Sequence, residues 1–246
     1  MIELSMNDFI RLYKLASIGK LVGGLIHNLN GPMQNLGLDI EMAYFSLKDV
    51  SEWDSKTTQS IISRLKRMEE EHERINSLIR TTAAKTGDDS DLDNSLLNIY
   101  EYLKQELIYL HTNLYFKHNV KTEIITANDP PLTSSLTRNS IRALGWFLQS
   151  IVEELEKQKI NGLTLKIISD NATLKIMVLI QGGKLSEDFT GQIKDAILSS
   201  DTLKSDSSDL GIFLALTIFK SNGVTLELDS DSPYSNLIMN FPLIKH

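Results

Sequence analysis

The sequence predicts an α+β protein in which a long helical hairpin precedes an α/β domain. Two apolar patterns predict the hairpin. Apolar residues recur at alternating three- and four-residue steps from Leu15 to Leu47, and a similar series runs from Ile61 to Thr82. This spacing is typical of helices that pack along a seam. After residue 92, helical segments alternate with short runs of β-branched residues, which indicates strands packed against helices.

The hairpin is predicted to consist of helices at about 7–48 and 57–85. Asp54 or Ser55, in the polar turn between them, is expected to cap the second helix. Pro32 lacks a backbone donor and is expected to kink the first helix. His72 falls in the seam of the second helix and is expected to be a core residue with a hydrogen-bond partner. Because one hairpin leaves an apolar stripe uncovered, two copies are expected to form a dimeric four-helix bundle.

A polar stretch from Thr86 to Asp91 marks the predicted domain boundary. The expected domains are therefore the hairpin, 1–87, and the α/β domain, 88–246. Within the second domain, helices are predicted at 93–113, 137–159 and 210–221. Strands are predicted at 120–125, 163–169, 173–180, 224–229 and 237–241. Asp170 and Asn171 are expected to form the turn of a β-hairpin.

Composition excludes several classes of function. The chain of 246 residues has no cysteine, which excludes disulfides, thiol catalysis and thiolate metal sites. No apolar run approaches the roughly 20 residues that a membrane span needs, and no signal peptide is visible, so a cytoplasmic location is expected. The net charge of −7 arises entirely from residues 87–246. An acidic domain argues against a nucleic-acid surface and attracts polyphosphates poorly.

Two motifs resemble bacterial two-component sensor histidine kinases. Residues 23–33 read Gly-Gly-Leu-Ile-His-Asn-Leu-Asn-Gly-Pro-Met, similar to the phospho-acceptor helix of that family, with His27 at the acceptor position. Residues 209–223 read Asp-Leu-Gly-Ile-Phe-Leu-Ala-Leu-Thr-Ile-Phe-Lys-Ser-Asn-Gly, similar to the end of the family's ATP-binding domain. The resemblance covers nearly the whole chain. It implies a dimeric phospho-acceptor hairpin followed by an α/β sandwich of the histidine-kinase ATPase type.

The positions that hold Mg-ATP in that family are altered in this chain. Glu153 stands where the kinases place a magnesium-binding Asn. Ile180 or Gln181, followed by Gly182, stands where an Asp reads the adenine amino group, and neither is a carboxylate. Only Gly211 remains of the glycine-rich phosphate loop, and the nearby Asp209 would repel phosphate. No cofactor and no metal site of its own are therefore expected.

The histidine motif also departs from the kinase pattern. Asn28 replaces the acid that usually follows the histidine, and Gly31 replaces the Thr or Asn that can orient water. The resemblance therefore implies weak autokinase and weak phosphatase chemistry. Asn28 and Asn30 are expected either to orient or shield His27, or only to cap a kink at Pro32.

The seam places His27 on the outer side of its helix. Lys20, Gly24, Gly31 and Gln34 share that side and form a predicted docking surface for another protein. The chain resembles kinase-derived histidine phosphotransferases, which implies exchange of a phosphoryl group between His27 and a receiver aspartate of a response regulator. The receiver would supply Mg²⁺, and ATP would not be needed.

Two other functions remain open from the sequence, besides the possibility that His27 is an ordinary surface residue. One is a non-catalytic dimeric pseudokinase adaptor that binds and regulates a kinase or a response regulator. The other is a divergent ATP-dependent histidine kinase with an altered nucleotide pocket. Partner binding that survives loss of His27 would favour the adaptor, and saturable binding of Mg-ATP would favour the kinase.

Overall fold

The structure is a computed structural model that describes residues 6–48, 55–86, 97–127, 132–133, 136–169, 173–198, 209–229 and 235–243. The chain divides into two compact units. One unit is Ile18–Gly87, and the other combines Met1–Ser17 with Asp88–His246. The first three turns of the first helix therefore belong to the α/β unit, which the sequence analysis did not anticipate.

The helical hairpin has the predicted extent. Helix α1 runs from Met6 to Lys48 and helix α2 from Ser55 to Thr86. Ser55 is the first residue of α2, and Asp54 lies outside the described residues. Pro32 is buried, and α1 continues on both sides of it. None of the helices that the structure describes is long and apolar enough to cross a bilayer.

A charged cluster joins α1 to α2. The Asp39 carboxylate accepts hydrogen bonds from Arg64 Nη1 at 3.2 Å and from Arg67 Nη2 at 2.5 Å. Asn35 Nδ2 donates to Glu71 Oε1 at 2.9 Å. Asp39 is almost fully buried, so its charge depends on the two arginines for compensation. The hairpin is therefore held by polar contacts as well as by apolar packing.

Part of the predicted apolar seam lies on the outside of the single hairpin, and part of it is buried or half-buried. Met33, Ile40, Leu65 and Ile79 are all more than half exposed. The prediction that His72 is a core residue is wrong, because its side chain is exposed and its ring nitrogens lie 3.3 Å from Asn76 Nδ2. The two helices instead meet along the adjacent face that carries Asp39.

The α/β unit contains a five-stranded mixed sheet in the order β2-β4-β5-β7-β6. Strands β2 and β4 are parallel, and the other neighbouring pairs are antiparallel. The five strands are Lys121–Thr126 (β2), Gly162–Ser169 (β4), Thr173–Gln181 (β5), Thr225–Asp229 (β6) and Ser235–Pro242 (β7). Two short strands, Leu97–Asn98 (β1) and Leu132–Thr133 (β3), pair separately. The antiparallel β4–β5 pair was predicted, although residues 170–172 lie outside the described residues.

Five helices of this unit accompany the sheet. They are Ile99–Leu110 (α3), Leu114–Asn119 (α4), Arg138–Gln158 (α5), Glu187–Leu198 (α6) and Leu210–Ser221 (α7). The sequence predicted α5 and α7 within one residue or two but missed α4 and α6. Helix α3 begins at Ile99 rather than at residue 93, because the Asn98 side chain accepts hydrogen bonds from the amides of Tyr100 and Glu101 and caps the helix there. Residues 91–96 lie outside the described residues.

The core of this unit joins α5, α7 and the sheet through aromatic side chains. Phe147 of α5 packs edge-to-face on Phe219 of α7, which packs in the same way on Phe241 of β7, with 5.7 Å between ring centroids in each pair. All three side chains are almost fully buried. Helix α5 ends at Gln158, and its C-cap residue Lys159 adopts the left-handed conformation. The architecture is the predicted α+β combination of a helical hairpin and an α/β sandwich.

Candidate functional site

His27 lies on the exposed surface of α1 in the hairpin unit. Gly23 and Gly31 lie one turn before it and one turn after it. A Cβ atom added at either glycine would meet nothing within 4 Å, so the helix surface on both sides of the imidazole is open. Gln34 is exposed and Gly24 is half-buried. We refer to Gly23, Gly24, His27, Gly31 and Gln34 as the His27 face.

The other predicted site residues of α1 differ in their placement. Asn28 is buried, so it lies on a different side of the helix from His27, whereas Asn30 is exposed. Lys20 belongs to α1, but its side chain lies outside the described part of the structure. The described residues contain no group of three His, Asp or Glu side chains that could hold a metal ion. The imidazole of His27 is therefore presented to solvent without a metal site formed by the residues that the structure describes.

The structure places three of the residues that stand at the kinase family's nucleotide-binding positions near the start of α7 or on α5. Gly211 is buried in the first turn of α7, and its amide donates to Asp209 Oδ1 at 2.8 Å. Asp209 is the N-cap of this helix. A backbone amide that could otherwise bind phosphate is thus already bound to a carboxylate of the same chain. Glu153, on α5, is half-buried and accepts a hydrogen bond from Gln149 Nε2 at 3.4 Å.

The end of β5 carries the other altered positions. Ile180 is completely buried in the core, whereas Gln181 is exposed and pairs with Gly162. Gly182 follows with a φ of +87° and lies against the Asn161 side chain. A side chain at this position would be strained and would collide with Asn161, so glycine is required by the turn. This requirement is structural and does not depend on a nucleotide.

Tyr13 is the residue that the sequence analysis missed. It belongs to the α/β unit and is only 3% exposed. Its ring packs edge-to-face on Trp146, with 5.1 Å between centroids. Its hydroxyl lies against Gly211, where an added Cβ would overlap it. Burial raises the pKa of Tyr13 well above its usual range, and the charges of Asp209 and Glu153 act in the same direction.

Tyr13 therefore brings together three of the altered nucleotide positions, Glu153, Asp209 and Gly211, around one phenol. The local pattern of α1 gave no signal for this contact. The apolar series from Leu15 describes the hairpin, whereas Tyr13 packs on a unit whose sequence begins about 75 residues later. Only tertiary structure connects these segments.

Comparison with known proteins yields structural similarity without sequence similarity. No protein-family model matches the chain, and no curated protein is significantly similar to it. The solved structures that resemble it include the histidine kinase AdeS of Acinetobacter baumannii, with 11% identity, a TM-score of 0.45, and coverage of 89% of this chain and 98% of the kinase chain. A structure of the catalytic domain of histidine kinase ThkA matches 60% of this chain and 93% of its own, with 15% identity and a TM-score of 0.45.

A third similar structure is described as a bacterial phosphotransferase. It is 10% identical, with a TM-score of 0.46, and the match covers 97% of this chain and 98% of the other. These three neighbours are thus two histidine kinases, the class that the sequence motifs resemble, and a protein described as a phosphotransferase. At such low identities and TM-scores the likeness concerns the fold alone and does not extend to the residues of any site.

Proposed function

We propose that this protein is a histidine phosphotransferase that exchanges a phosphoryl group between His27 and the receiver aspartate of a response regulator without using ATP. The observation that supports the proposal is the His27 face. An exposed imidazole stands between two glycines whose surroundings are open. A receiver must bring its aspartyl phosphate within bonding distance of the imidazole, and the glycines one turn before and one turn after His27 leave room for that approach.

The proposed reaction needs no group from this chain other than the imidazole. The unprotonated nitrogen of neutral His27 attacks the phosphorus atom, so that a P–N bond forms while the P–O bond to the receiver aspartate breaks. The bonding electrons leave with the aspartate carboxylate, and the other ring nitrogen releases its proton to solvent. Mg²⁺ held by the receiver would stabilise the charge of the transferred group. The reverse reaction passes the phosphoryl group to a second receiver.

Residues of the α/β unit support the proposal that the phosphoryl source is not ATP. Asp209 already binds the Gly211 amide, and the charges of Asp209 and Glu153 would repel phosphate groups brought close to Gly211. Neither Ile180 nor Gln181 offers a carboxylate to an adenine ring. Saturable binding of Mg-ATP would contradict this part of the proposal and would favour the divergent kinase.

We further propose that the functional form is a homodimer. The exposed apolar residues of the hairpin recur at seven-residue intervals, which is the repeat of helices that pack in a bundle. These residues are Ile26, Met33, Ile40 and Leu47 on α1, with Leu65 and Ile79 on α2. A second copy that covers this stripe would complete a four-helix bundle and leave the His27 face free. A monomer in sedimentation at micromolar concentration would contradict the dimer.

Substitution of Gly31 by leucine tests whether the open surface is used. We expect Gly31→Leu to reduce phosphotransfer at least about tenfold, because the added side chain occupies space that the receiver needs. A cost of about 1.4 kcal/mol is enough for a tenfold effect. The assay uses the purified receiver domains encoded by the same genome, charged with acetyl phosphate, and follows acid-labile phosphate on the full chain. Leucine favours a helix more than glycine does, so the variant should remain folded.

Gly191→Leu is the matched control. Gly191 lies in helix α6 of the α/β unit, and a Cβ atom added there would meet nothing within 4 Å. The Gly191→Leu variant should transfer phosphate at the wild-type rate. Equal rates for both variants would show that the receiver does not approach across the His27 face. Receiver binding that persists in His27→Ala, with no transfer in the wild-type protein, would instead favour the non-catalytic adaptor.

A further inference from the structure

The cleft between α5 and α7 is filled by a side chain from the other end of the sequence. Trp146, Ser150 and Glu153 lie on α5, and Asp209 and Gly211 lie at the start of α7. We refer to these five residues as the Tyr13 cleft. Tyr13 reaches the cleft from the first turns of α1. In the sequence, the whole hairpin unit lies between these turns and the helices α5 and α7. The phenol therefore occupies the cleft in the way that a bound ligand would.

The shape of the Tyr13 cleft fits an aromatic ring. Trp146 presents its ring at 84° to the Tyr13 ring, with 5.1 Å between centroids, which is the favourable edge-to-face arrangement. Gly211 lies against the hydroxyl end of the Tyr13 side chain. Any side chain at this position would overlap the phenol hydroxyl and the ring carbon that carries it. The helix start at Gly211 therefore leaves a space that the end of the phenol occupies.

The polar end of the Tyr13 cleft is formed by Ser150 and by two carboxylates. The Tyr13 hydroxyl is buried beside the Ser150 side chain, although no bond between them has good hydrogen-bond geometry. A buried hydroxyl favours a neighbour that can accept its proton. The carboxylates of Asp209 and Glu153 face the same phenol and stabilise its neutral form. The cleft therefore favours a neutral hydroxyl and disfavours an anion.

We propose that the Tyr13 cleft is a binding site for a neutral aromatic group that carries a hydrogen-bond donor, and that the chain occupies this site with its own Tyr13. The inference goes beyond phosphotransfer and does not depend on it. The ligand class is a small phenol, because the ring contacts Trp146 and the hydroxyl faces Ser150, Asp209 and Glu153. Aromatic anions such as benzoates are excluded by the two carboxylates.

Chemical rescue of a truncated variant tests the proposal. In the full chain, Tyr13→Ala should lower the melting temperature of the α/β unit, measured by calorimetry as the transition of that unit, by about 10 °C, given the usual loss for a large buried aromatic residue. We expect millimolar p-cresol, the small-molecule analogue of a whole tyrosine side chain, to restore about 3–5 °C when it exceeds its dissociation constant about tenfold. The anion 4-methylbenzoate, of similar shape, should restore none.

Two control proteins identify binding in the cleft. The wild-type melting temperature should not change with p-cresol, because Tyr13 already occupies the site at a high effective concentration. Leu12→Ala removes an exposed neighbour of Tyr13 in the same helix and should not respond either. An equal response of all three proteins would show non-specific binding, and no response of folded Tyr13→Ala would also overturn the proposal. Rescue by 4-methylbenzoate would overturn the assignment to neutral ligands.

Tyr13→Ala removes a large core side chain, which can leave too little stability for folding without a ligand. In that case, far-UV circular dichroism should show p-cresol-dependent folding, and a variant that stays unfolded with p-cresol would contradict the proposal. Tyr13→Phe keeps the ring and removes only the hydroxyl, whose interaction with Ser150 has poor hydrogen-bond geometry. We expect its melting temperature to remain within about 2 °C of the wild-type value. A loss as large as that of Tyr13→Ala would show that the hydroxyl is firmly bonded.

Discussion

Replacement of His27 by glutamine should abolish phosphoryl transfer from a charged receiver. We expect a loss of at least about a thousandfold, because loss of a nucleophile removes the covalent intermediate and not merely one stabilising contact. Glutamine is close to histidine in size and keeps a polar side chain on an exposed helix position, so the fold should be unaffected. The measurement is the single-turnover rate at which acid-labile phosphate appears on the protein.

His118→Gln is the matched control for this variant. His118 is also an exposed histidine at the surface of a helix, but it belongs to α4 of the α/β unit. Its substitution should leave the transfer rate within about twofold of the wild-type rate, as for most surface changes away from a site. If His27→Gln transferred phosphate at a rate similar to that of His118→Gln, the acceptor would be another residue.

Replacement of Asp39 by alanine should have the largest effect on the stability of the hairpin. The carboxylate is nearly buried and binds both Arg64 and Arg67. Its loss leaves the half-buried Arg64 without this partner, whereas Arg67 can be solvated because its side chain is 57% exposed. We therefore expect a loss of about 2–3 kcal/mol, less than for a fully buried ion pair.

Hydrogen exchange read by mass spectrometry is the suitable measurement for Asp39→Ala. The chain has two compact units, so one global unfolding curve would mix their stabilities. Amides of α1 and α2 near the cluster should exchange about 30- to 150-fold faster, which corresponds to the expected loss of local stability. Amides of the central strands β4 and β5 should be unchanged.

Glu41→Ala serves as the control for Asp39. Glu41 is an exposed carboxylate two residues away in the same helix, and its removal should change local stability by no more than about 0.5 kcal/mol. Equal protection in Asp39→Ala and in Glu41→Ala would contradict the role of the charged cluster in holding the two helices together.

Periodicity was sufficient to predict most elements of the fold. The hairpin helices and α5 are long and strongly periodic, and the β-branched runs of β4 and β5 are separated by a typical turn sequence. Helix α4 has only six residues, too few for a periodic pattern to be distinguished from a loop. The start of α3 was missed because the Asn98 cap was not recognised as a stronger signal than the polar residues before it.

The face by which α1 contacts α2 could not be predicted from apolar spacing. That face carries Asp39 and Asn28, residues that a hydrophobic pattern assigns to the outside. The apolar stripe that did follow the pattern lies exposed on the single hairpin and includes His72 at the same seven-residue spacing. A pattern that fits a seam therefore does not show whether the partner helix belongs to the same chain or to a second copy.

The two candidate sites differ in how far sequence could define them. The His27 face lies on one helix, so helical spacing alone was enough to place His27, Gly31 and Gln34 on the same side. The Tyr13 cleft is formed by segments from both ends of the chain, and no local pattern relates Tyr13 to Trp146 or Gly211. The sequence indicated that Glu153 and Asp209 depart from the kinase pattern and that Gly211 remains of it, but not that a phenol of the same chain lies among them.

A histidine phosphotransferase carries a phosphoryl group on its acceptor in the cell, so we expect His27 to be phosphorylated there. The most direct measurement isolates the protein from its native cells in cold, alkaline conditions and locates acid-labile phosphate by mass spectrometry. We expect phosphate on His27 of the wild-type protein and none on His27→Ala from cells grown in parallel. Repeated absence of phosphate from His27 while the signalling pathway is active would contradict the account and favour a non-catalytic adaptor.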